Sequence, residues 1–230
     1  MTAVLAKVPN PAIEEATPFE ANSIYELIRE DILGGRLGAN ERLKVSALAA
    51  RYGSSTNPVR EALQQLRGEG FVVIAPNRGA RVREIDENFV RDIFEMEVLI
   101  EPYLTSWFVS LATDGDIAEL EAIQDEIEAL NFSDQSRHNA LDTRFHRVFY
   151  DRHYNRHAVD LWWKHREILG AISRNFRFSL HRKAAILSEH RELIAALKAH
   201  DAILCGEIIA RHVRGSGLHI VEQMRAQRPR

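Results

Sequence analysis

Strand-forming patterns in this chain are confined to one short stretch, and that restriction narrows the possible folds more than any other feature. Phe71-Val72-Val73-Ile74, a Pro76-Asn77-Arg78-Gly79 turn and Ala80-Arg81-Val82 read as a β-hairpin. From Asp86 onward apolar residues recur at helical spacing to the C-terminus, which predicts helices near 87–112, 115–131, 135–153, 156–178, 184–199 and 202–225. Asp114-Gly115, Asn131 to Asp134 and His200-Asp201 mark joints between them. Pro102, inside the first of these helices, is expected to kink it or leave a carbonyl unpaired. The expected fold is mostly α: an all-α helical bundle over 85–226, preceded by a small unit that owns the hairpin.

That small unit has its own order. Residues 1–19, with Pro9, Pro11 and Pro18 and no periodicity, are expected to form a flexible arm. Ser23-x-x-Glu26 makes a capping box ahead of Ile24, Leu27, Ile28 and Ile32, and Gly34-Gly35 stops that helix. A second short helix carries Leu48 and Ala49 and ends at Tyr52-Gly53. A third restarts at Ser54-Ser55-Thr56-Asn57-Pro58 and buries Val59, Ala62, Leu63 and Leu66. Helix, helix, turn, helix, hairpin is a winged helix-turn-helix, here spanning 20–84. The connection to the first bundle helix is too short to leave the two units independent.

Charge follows the same division. The 230-residue chain has a net charge of −3, yet between Arg36 and Arg83 nine Lys/Arg face three acids, a local +6 that leaves −9 for the remainder. Local charge sets the field a polyanion meets, so the basic block is a candidate surface for double-stranded operator DNA. No run approaches the ~18 apolar residues of a membrane span, and the N-terminus has no cationic-then-apolar leader, so a cytoplasmic protein without a membrane partner is expected. One cysteine, Cys205, excludes an intrachain disulfide framework.

In a helix-turn-helix the second helix enters the major groove by its N-terminal turn. Here that turn is Ser55, Thr56, Asn57 and Arg60. Lys44 and Ser46 open the bracing helix, and Asn77, Arg78 and Gly79 form the wing tip. Arg60 can bond guanine or phosphate and Asn57 adenine. The alternative is a protein-interaction module in which Arg60 pairs with Glu61 or Glu69. Arg42-Leu43, Leu48-Ala49-Ala50, Ser55, Pro58-Val59-Arg60-Glu61-Ala62-Leu63, Leu66, Glu69-Gly70 and Pro76-Asn77-Arg78-Gly79-Ala80 resemble the DNA-binding domain of GntR-family bacterial transcription regulators. The chain departs from that pattern at Thr56 and at Val45-Ser46, where the family commonly has arginine-containing sequences. Recognition then falls more heavily on Arg60, Asn57, Lys44 and Arg78.

All ten histidines lie between His138 and His219. Asp142 and His146 project from one face of a helix, and His190 and His212 sit on two later helices where each can turn inward. Three imidazoles and a carboxylate suit a divalent transition ion, zinc first, with nickel and manganese as alternatives. Any one such spacing arises by accident in a histidine-rich half, and His138 with Asp142 and His153 with His157 show the same spacing.

Leu141-Asp142-x-x-Phe145-His146, Glu189-His190-Arg191-x-Leu193-Ile194-x-Ala196-Leu197, Asp201-Ala202 and His212 resemble the FCD effector domain of the FadR subfamily. The resemblance implies Asp142, His146, His190 and His212 as metal ligands and an effector carboxylate completing the coordination. It also places Glu97 where the subfamily often has an arginine facing that carboxylate. A carboxylate there repels an acidic effector unless it is paired, and Arg174 and Asn175 become the candidate effector contacts. The aromatic set Phe145, Phe149, Trp162, Trp163 and Phe176 either lines a pocket for a flat ligand or is plain core.

These expectations combine into a homodimeric, metal-containing, effector-responsive regulator, a repressor in most such proteins, with each winged helix reading half of a near-palindromic site. A purely structural metal and a metal-dependent hydrolase are the rival readings.

Overall fold

The computed structural model describes residues 23–75, 79–173 and 176–227, so Asn77, Arg78, Arg174 and Asn175 lie outside the described residues. The N-terminal unit contains α1 (Ile24–Leu33), β1 (Arg42–Leu43), α2 (Val45–Arg51), α3 (Thr56–Gly68), β2 (Val72–Ala75) and β3 (Gly79–Val82). Ser23 caps α1 by accepting the Glu26 amide at 3.3 Å. The stripes read from the sequence meet as one core, with Ile28, Leu48, Val59, Leu63, Leu66 and Phe71 all buried.

The hairpin forms as expected, but the sheet has a third strand that the sequence pattern did not predict. Arg42 pairs with Arg81 and Leu43 with Ala80, giving the antiparallel order β1-β3-β2. Two residues are too few to show an alternation. Leu43 is buried beneath the wing, and that burial fixes the strand's register. The result is a winged helix-turn-helix.

The second unit comprises α4 (Glu87–Val109), α5 (Asp114–Leu130), α6 (Gln135–Tyr150), α7 (Arg156–Ser173), α8 (Leu180–Lys198) and α9 (Ala202–Ala226). Polar caps set their starts: Asp86, Thr113 in a capping box with Asp116, Asp134, Ser179 and Asp201 each accept an amide of the first turn. Two boundaries differ from the periodicity. Helix α7 is described only to Ser173 and residues 176–179 are not helical, so the expected extension to 178 does not form. Helix α8 starts four residues before the expected 184, because Ser179 accepts the Arg182 amide at 3.2 Å and adds a turn.

Helix α4 runs through Pro102 without ending. It lies along α9, where two glycines allow close approach: a Cβ on Gly217 would fall 2.6 Å from Phe94 Cγ, and one on Gly206 would fall 3.2 Å from Ser106 Oγ. The units are joined by residues 83–86 and also touch directly. The Arg83 guanidinium lies 5.3 Å from the centre of the Phe89 ring, and Arg29 Nη2 on α1 donates to the Glu167 carbonyl on α7 at 3.2 Å. Among the described residues no helix is long and apolar enough to cross a membrane.

Candidate functional site

Asp142 and His146, one turn apart on α6, face the bundle interior, where α8 brings His190 and α9 brings His212. One ligand atom from each of the four residues lies within 4.8 Å of the others. The three histidines are buried, His190 to 1% exposure.

Two of the three imidazoles are held by hydrogen bonds from behind. His190 Nδ1 donates to Gln124 Oε1 at 2.8 Å, and Gln124 Nε2 donates to Glu128 Oε1, itself held by Arg191 at 2.7 Å. This commits the Nδ1 proton and leaves the Nε2 lone pair facing the cluster, 3.5 Å from Asp142 Oδ1. The Phe145 ring stacks on His190 at 4.1 Å between centroids and fixes its plane. His212 Nδ1 donates to Glu189 Oε2 at 3.0 Å, and the buried Arg182 donates to the same oxygen at 3.0 Å. His146 Nδ1 lies 3.6 Å from Glu101 Oε2.

Protonation favours ligation as well. Burial pushes His146 down to about 3 and His190 well below the ordinary imidazole value, so both rings are neutral. Burial opposes the Asp142 charge, but the adjacent Arg166 guanidinium together with His146, His190 and His138 more than offsets it, so the carboxyl lies well below the usual range. Both ring nitrogens of His146 and Nε2 of His190 are buried with no hydrogen-bond partner. An unpaired buried polar atom costs about 1–3 kcal/mol, and a divalent ion bound by His190 Nε2 and one nitrogen of His146 removes that cost for those two atoms. The residues present therefore fit the metal that the donor set implies.

A cavity opens from this cluster between α4, α6, α7 and α9. Glu97, Glu101, Trp162 and Arg166 line it together with His146 and His212. A neighbouring cavity of about 100 Å³ shares Arg166 and His212 and adds Asn139, Thr143 and Ser173. Arg166 contacts Asp142 and donates to Thr143 Oγ1 at 3.0 Å. Sequence reasoning missed this residue because Lys164-His165-Arg166-Glu167 reads as a solvated helical turn. The available signal was the recurrence of Trp162, Arg166 and Leu169 on one helical face.

Glu97, on α4, is 2% exposed, and Oε1 contacts His165 Nδ1. Burial pushes its carboxyl up to about 8, and burial with the neighbouring Glu97 does the same to Glu101. Glu97 is thus a buried carboxyl paired with His165, with burial disfavouring its charged form. Of the five aromatics considered for a pocket, only Trp162 lines this cavity. Phe145 and Phe149 are core, and Trp163 and Phe176 pack at its margin. His138 lies outside the ligand cluster, between Phe132 and Phe178, and His153 packs against Tyr103 and Trp107.

In the N-terminal unit, Ser55 precedes α3 without using its side chain as a cap, and Ser55, Thr56, Asn57 and Arg60 are all exposed. These side chains are therefore accessible at the opening of α3, the part of the helix that enters a groove in this motif. Lys44 and Ser46 are exposed at the start of α2. Gly79 holds φ +70 where β3 begins, a conformation that strains other residues. The Arg42 side chain reaches 3.9 Å from where a Gly79 Cβ would lie, which adds to the wing a cation not singled out from the sequence. Glu69, one expected partner of Arg60 in the interaction-module reading, is instead taken by the Tyr25 hydroxyl at 2.7 Å and by Gln65.

Comparison with known proteins agrees with both halves. Residues 20–82 match the family of bacterial regulatory proteins of the gntR type, and residues 92–215 match the FCD domain. The chain is 27% identical over 202 residues to the HTH-type transcriptional repressor GlaR of Escherichia coli strain K12, covering 82% of this chain and 90% of that protein. It is 24% identical over 186 residues to the gluconate operon transcriptional repressor of Bacillus subtilis strain 168, covering 78% and 76%. Among solved structures, Lar, described as controlling the Listeria monocytogenes agr system, superposes with a TM-score of 0.68 at 19% identity, covering 90% of this chain and 99% of the other. That last likeness speaks to the fold. The chain belongs to the GntR family of transcription regulators, which are not enzymes, and couples a winged helix-turn-helix to an FCD effector domain in the manner of the FadR subfamily.

Proposed function

We propose that this protein is a homodimeric repressor containing a divalent metal, and that it leaves or engages its operator when a small carboxylate effector binds beside that metal. Asp142, His146, His190 and His212 would hold the ion, with zinc first among the candidates. The ion would supply a Lewis-acid anchor for the effector carboxylate. The observation that carries this reading is the cluster itself, one ligand atom from each of the four residues within 4.8 Å of the others, with His146 and His190 keeping buried nitrogens that have no hydrogen-bond partner while Gln124 and Glu189 hold two of the rings from behind.

Three further observations support the regulatory part. The exposed face of Lys44, Ser46, Ser55, Thr56, Asn57, Arg60 and Gly79, continued in sequence by Asn77 and Arg78, suits a major groove and its flanking phosphates. Met96, Leu99 and Tyr103 form an exposed apolar stripe on α4, with Leu99 at 69% exposure, which suits a second copy of the chain and so a two-headed reader of a near-palindrome. Helix α7 carries Arg166 into the cavity and, at the next residue, accepts a hydrogen bond from Arg29 of the winged unit. A shift of α7 on effector binding would reach the DNA-binding head directly, provided the two arrangements bind effector with different affinity.

A structural metal is the second reading, since the four ligands tie α6, α8 and α9 together. Thermal unfolding of zinc-loaded protein against a panel of small carboxylic acids, repeated after chelation, separates the two. A ligand at ~100 times its Kd that stabilises by about 2.7 kcal/mol only with metal present supports the regulatory site. His190→Ala then loses metal and effector response while remaining folded. Unfolding of His190→Ala with no effector-dependent stabilisation of the wild type selects the structural clamp.

A further inference from the structure

We propose that a second small-molecule site lies at the end of the bundle, where the turn between α5 and α6 meets residues 176–179 ahead of α8, and that Arg177 and Lys183 bind there the phosphate group of a small phosphorylated metabolite. The site does not use the metal cluster and does not depend on an ion being held there. Of the described residues that line it, Phe178 alone also lines the cavity of about 100 Å³ beside that cluster.

Charge singles the place out. The cavity measures about 420 Å³, within the ~300–1,000 Å³ of small-molecule pockets. Phe132, Ser133, Gln135, Arg177, Phe178 and Lys183 line it, so that among the described residues its wall holds two cations and no acid. Elsewhere in the bundle Arg144, Arg147, Arg152, Arg191 and Arg211 each meet a carboxylate. Arg177 and Lys183 meet none among the described residues, although the chain outside the basic block carries −9. Two cations that share a cavity without a counter-charge repel each other, and a bound anion removes that repulsion.

The walls are held in place. Asn131 and Phe132 take φ 45 and 57, a left-handed pair that bulky residues rarely adopt, and the Phe132 ring packs on His138 at 4.3 Å and edge-on to Phe178 at 5.6 Å. Gln135 Nε2 donates to the Ser173 and Phe176 carbonyls at 2.8 and 2.7 Å, and His219 Nε2 donates to the Arg177 carbonyl at 3.2 Å, which pins the backbone that carries Arg177. Lys183 Nζ lies 5.2 Å from the centre of the Phe132 ring, a contact that keeps the ammonium at the wall. Gln135 opens α6 and Lys183 lies in the first turn of α8, so the positive ends of two helices add to the field. Asp134 offsets part of it at α6, where its carboxylate accepts the Arg137 amide at 3.0 Å. The charge count selects the ligand. A phosphate monoester carries about −1.5 to −2 near neutral pH and offers three acceptor oxygens, which suits a guanidinium fork and an ammonium together. A monocarboxylate would leave one of the two cations uncompensated. The Phe132 and Phe178 rings give the organic part of the ligand an apolar wall.

The test is isothermal titration of the full-length protein, zinc-loaded and after chelation, with glycerol 3-phosphate, phenyl phosphate, inorganic phosphate and acetate. At least one of the two monoesters is expected to bind with a Kd of about 1 mM or tighter, alike with and without zinc, about tenfold or more tightly than acetate and about threefold or more tightly than inorganic phosphate. Arg177→Gln and Lys183→Gln each weaken that binding about tenfold or more, while Lys183→Arg retains it. Arg144→Gln, an ion-paired arginine elsewhere on the bundle, leaves it unchanged, and the circular dichroism spectra of all four variants match the wild type. Inorganic phosphate binding as tightly as the monoesters overturns the assignment to a metabolite. No binding of any phosphate, binding confined to the zinc-loaded form, or binding insensitive to both glutamine variants overturns the site. Loss of operator affinity in Arg177→Gln without any phosphate binding also overturns it, because the pair is then a contact to DNA.

Discussion

Asp31 illustrates how much one side chain settles in the winged unit. Its carboxylate accepts from the Tyr52 hydroxyl at 2.6 Å and pairs with Arg36 and Arg51, tying α1 to the end of α2. Burial alone would raise its pKa, but the hydrogen bonds from Tyr52 and Arg36 and the Arg51 charge more than reverse that, so the value lies below the ordinary one. A group with a depressed folded pKa stabilises the fold above its unfolded value, near about 3.9, and loses that contribution as pH falls through the folded value. Asp31→Asn should therefore cost about 2–3 kcal/mol near neutral pH, a deficit that narrows below about pH 4. Urea unfolding of both proteins at stepped pH checks this, and a gap constant to strongly acid pH contradicts it. At the DNA-reading face, Arg60→Ala should weaken specific operator binding by about 1–3 kcal/mol if Arg60 reads a base. A loss equal on operator and unrelated DNA would instead make it a phosphate contact. The exposed position of Arg60 near the start of α3 was legible because it follows the helix-opening Ser-Thr-Asn-Pro run. The inward placement of Arg166 was not, because a half-buried, paired arginine and a solvated one look alike in sequence.

Helices α4 and α9 define the bundle through their closeness. Glycine inside a helix is less favourable than alanine by about 1 kcal/mol, so Gly217 is retained against propensity. A Cβ there would meet Phe94 Cγ at 2.6 Å and Cβ at 2.9 Å, the rigid root of that side chain. Overpacking costs about 1–3 kcal/mol, enough to exceed the helical gain, so Gly217→Ala should lower stability despite its better propensity. Chemical denaturation measures the sign, and stabilisation would mean that the two helices separate freely. The element boundaries that were legible in sequence are those set by local caps such as Asp86, Thr113 and Asp201. Strand β1 was not legible, since only its partner Arg81-Ala80 and the burial of Leu43 make two residues a strand.

At the scale of the whole molecule, the proposed coupling from effector cavity to operator would pass along α7, which the Arg29 hydrogen bond to the Glu167 carbonyl ties to the winged unit. Arg29→Ala removes the hydrogen bond to the Glu167 carbonyl without touching either the reading face or the cavity lined by Glu97. Effector-induced change in operator affinity should shrink by about threefold or more, with operator affinity in the absence of effector little altered. Fluorescence anisotropy with labelled operator, with and without saturating effector, reads this, and an unchanged effector response places the coupling elsewhere. The two-part architecture, the exposed opening turn of α3 and the one-turn spacing of Asp142 and His146 were all determined by sequence, because helical period and capping are local properties. Only the tertiary structure brought His190 and His212 to that pair, oriented their rings through Gln124 and Glu189, and left Glu97 buried and paired with His165 beside them. Those outcomes depend on burial and on partners distant in the chain, and neither is encoded in the spacing of neighbouring residues.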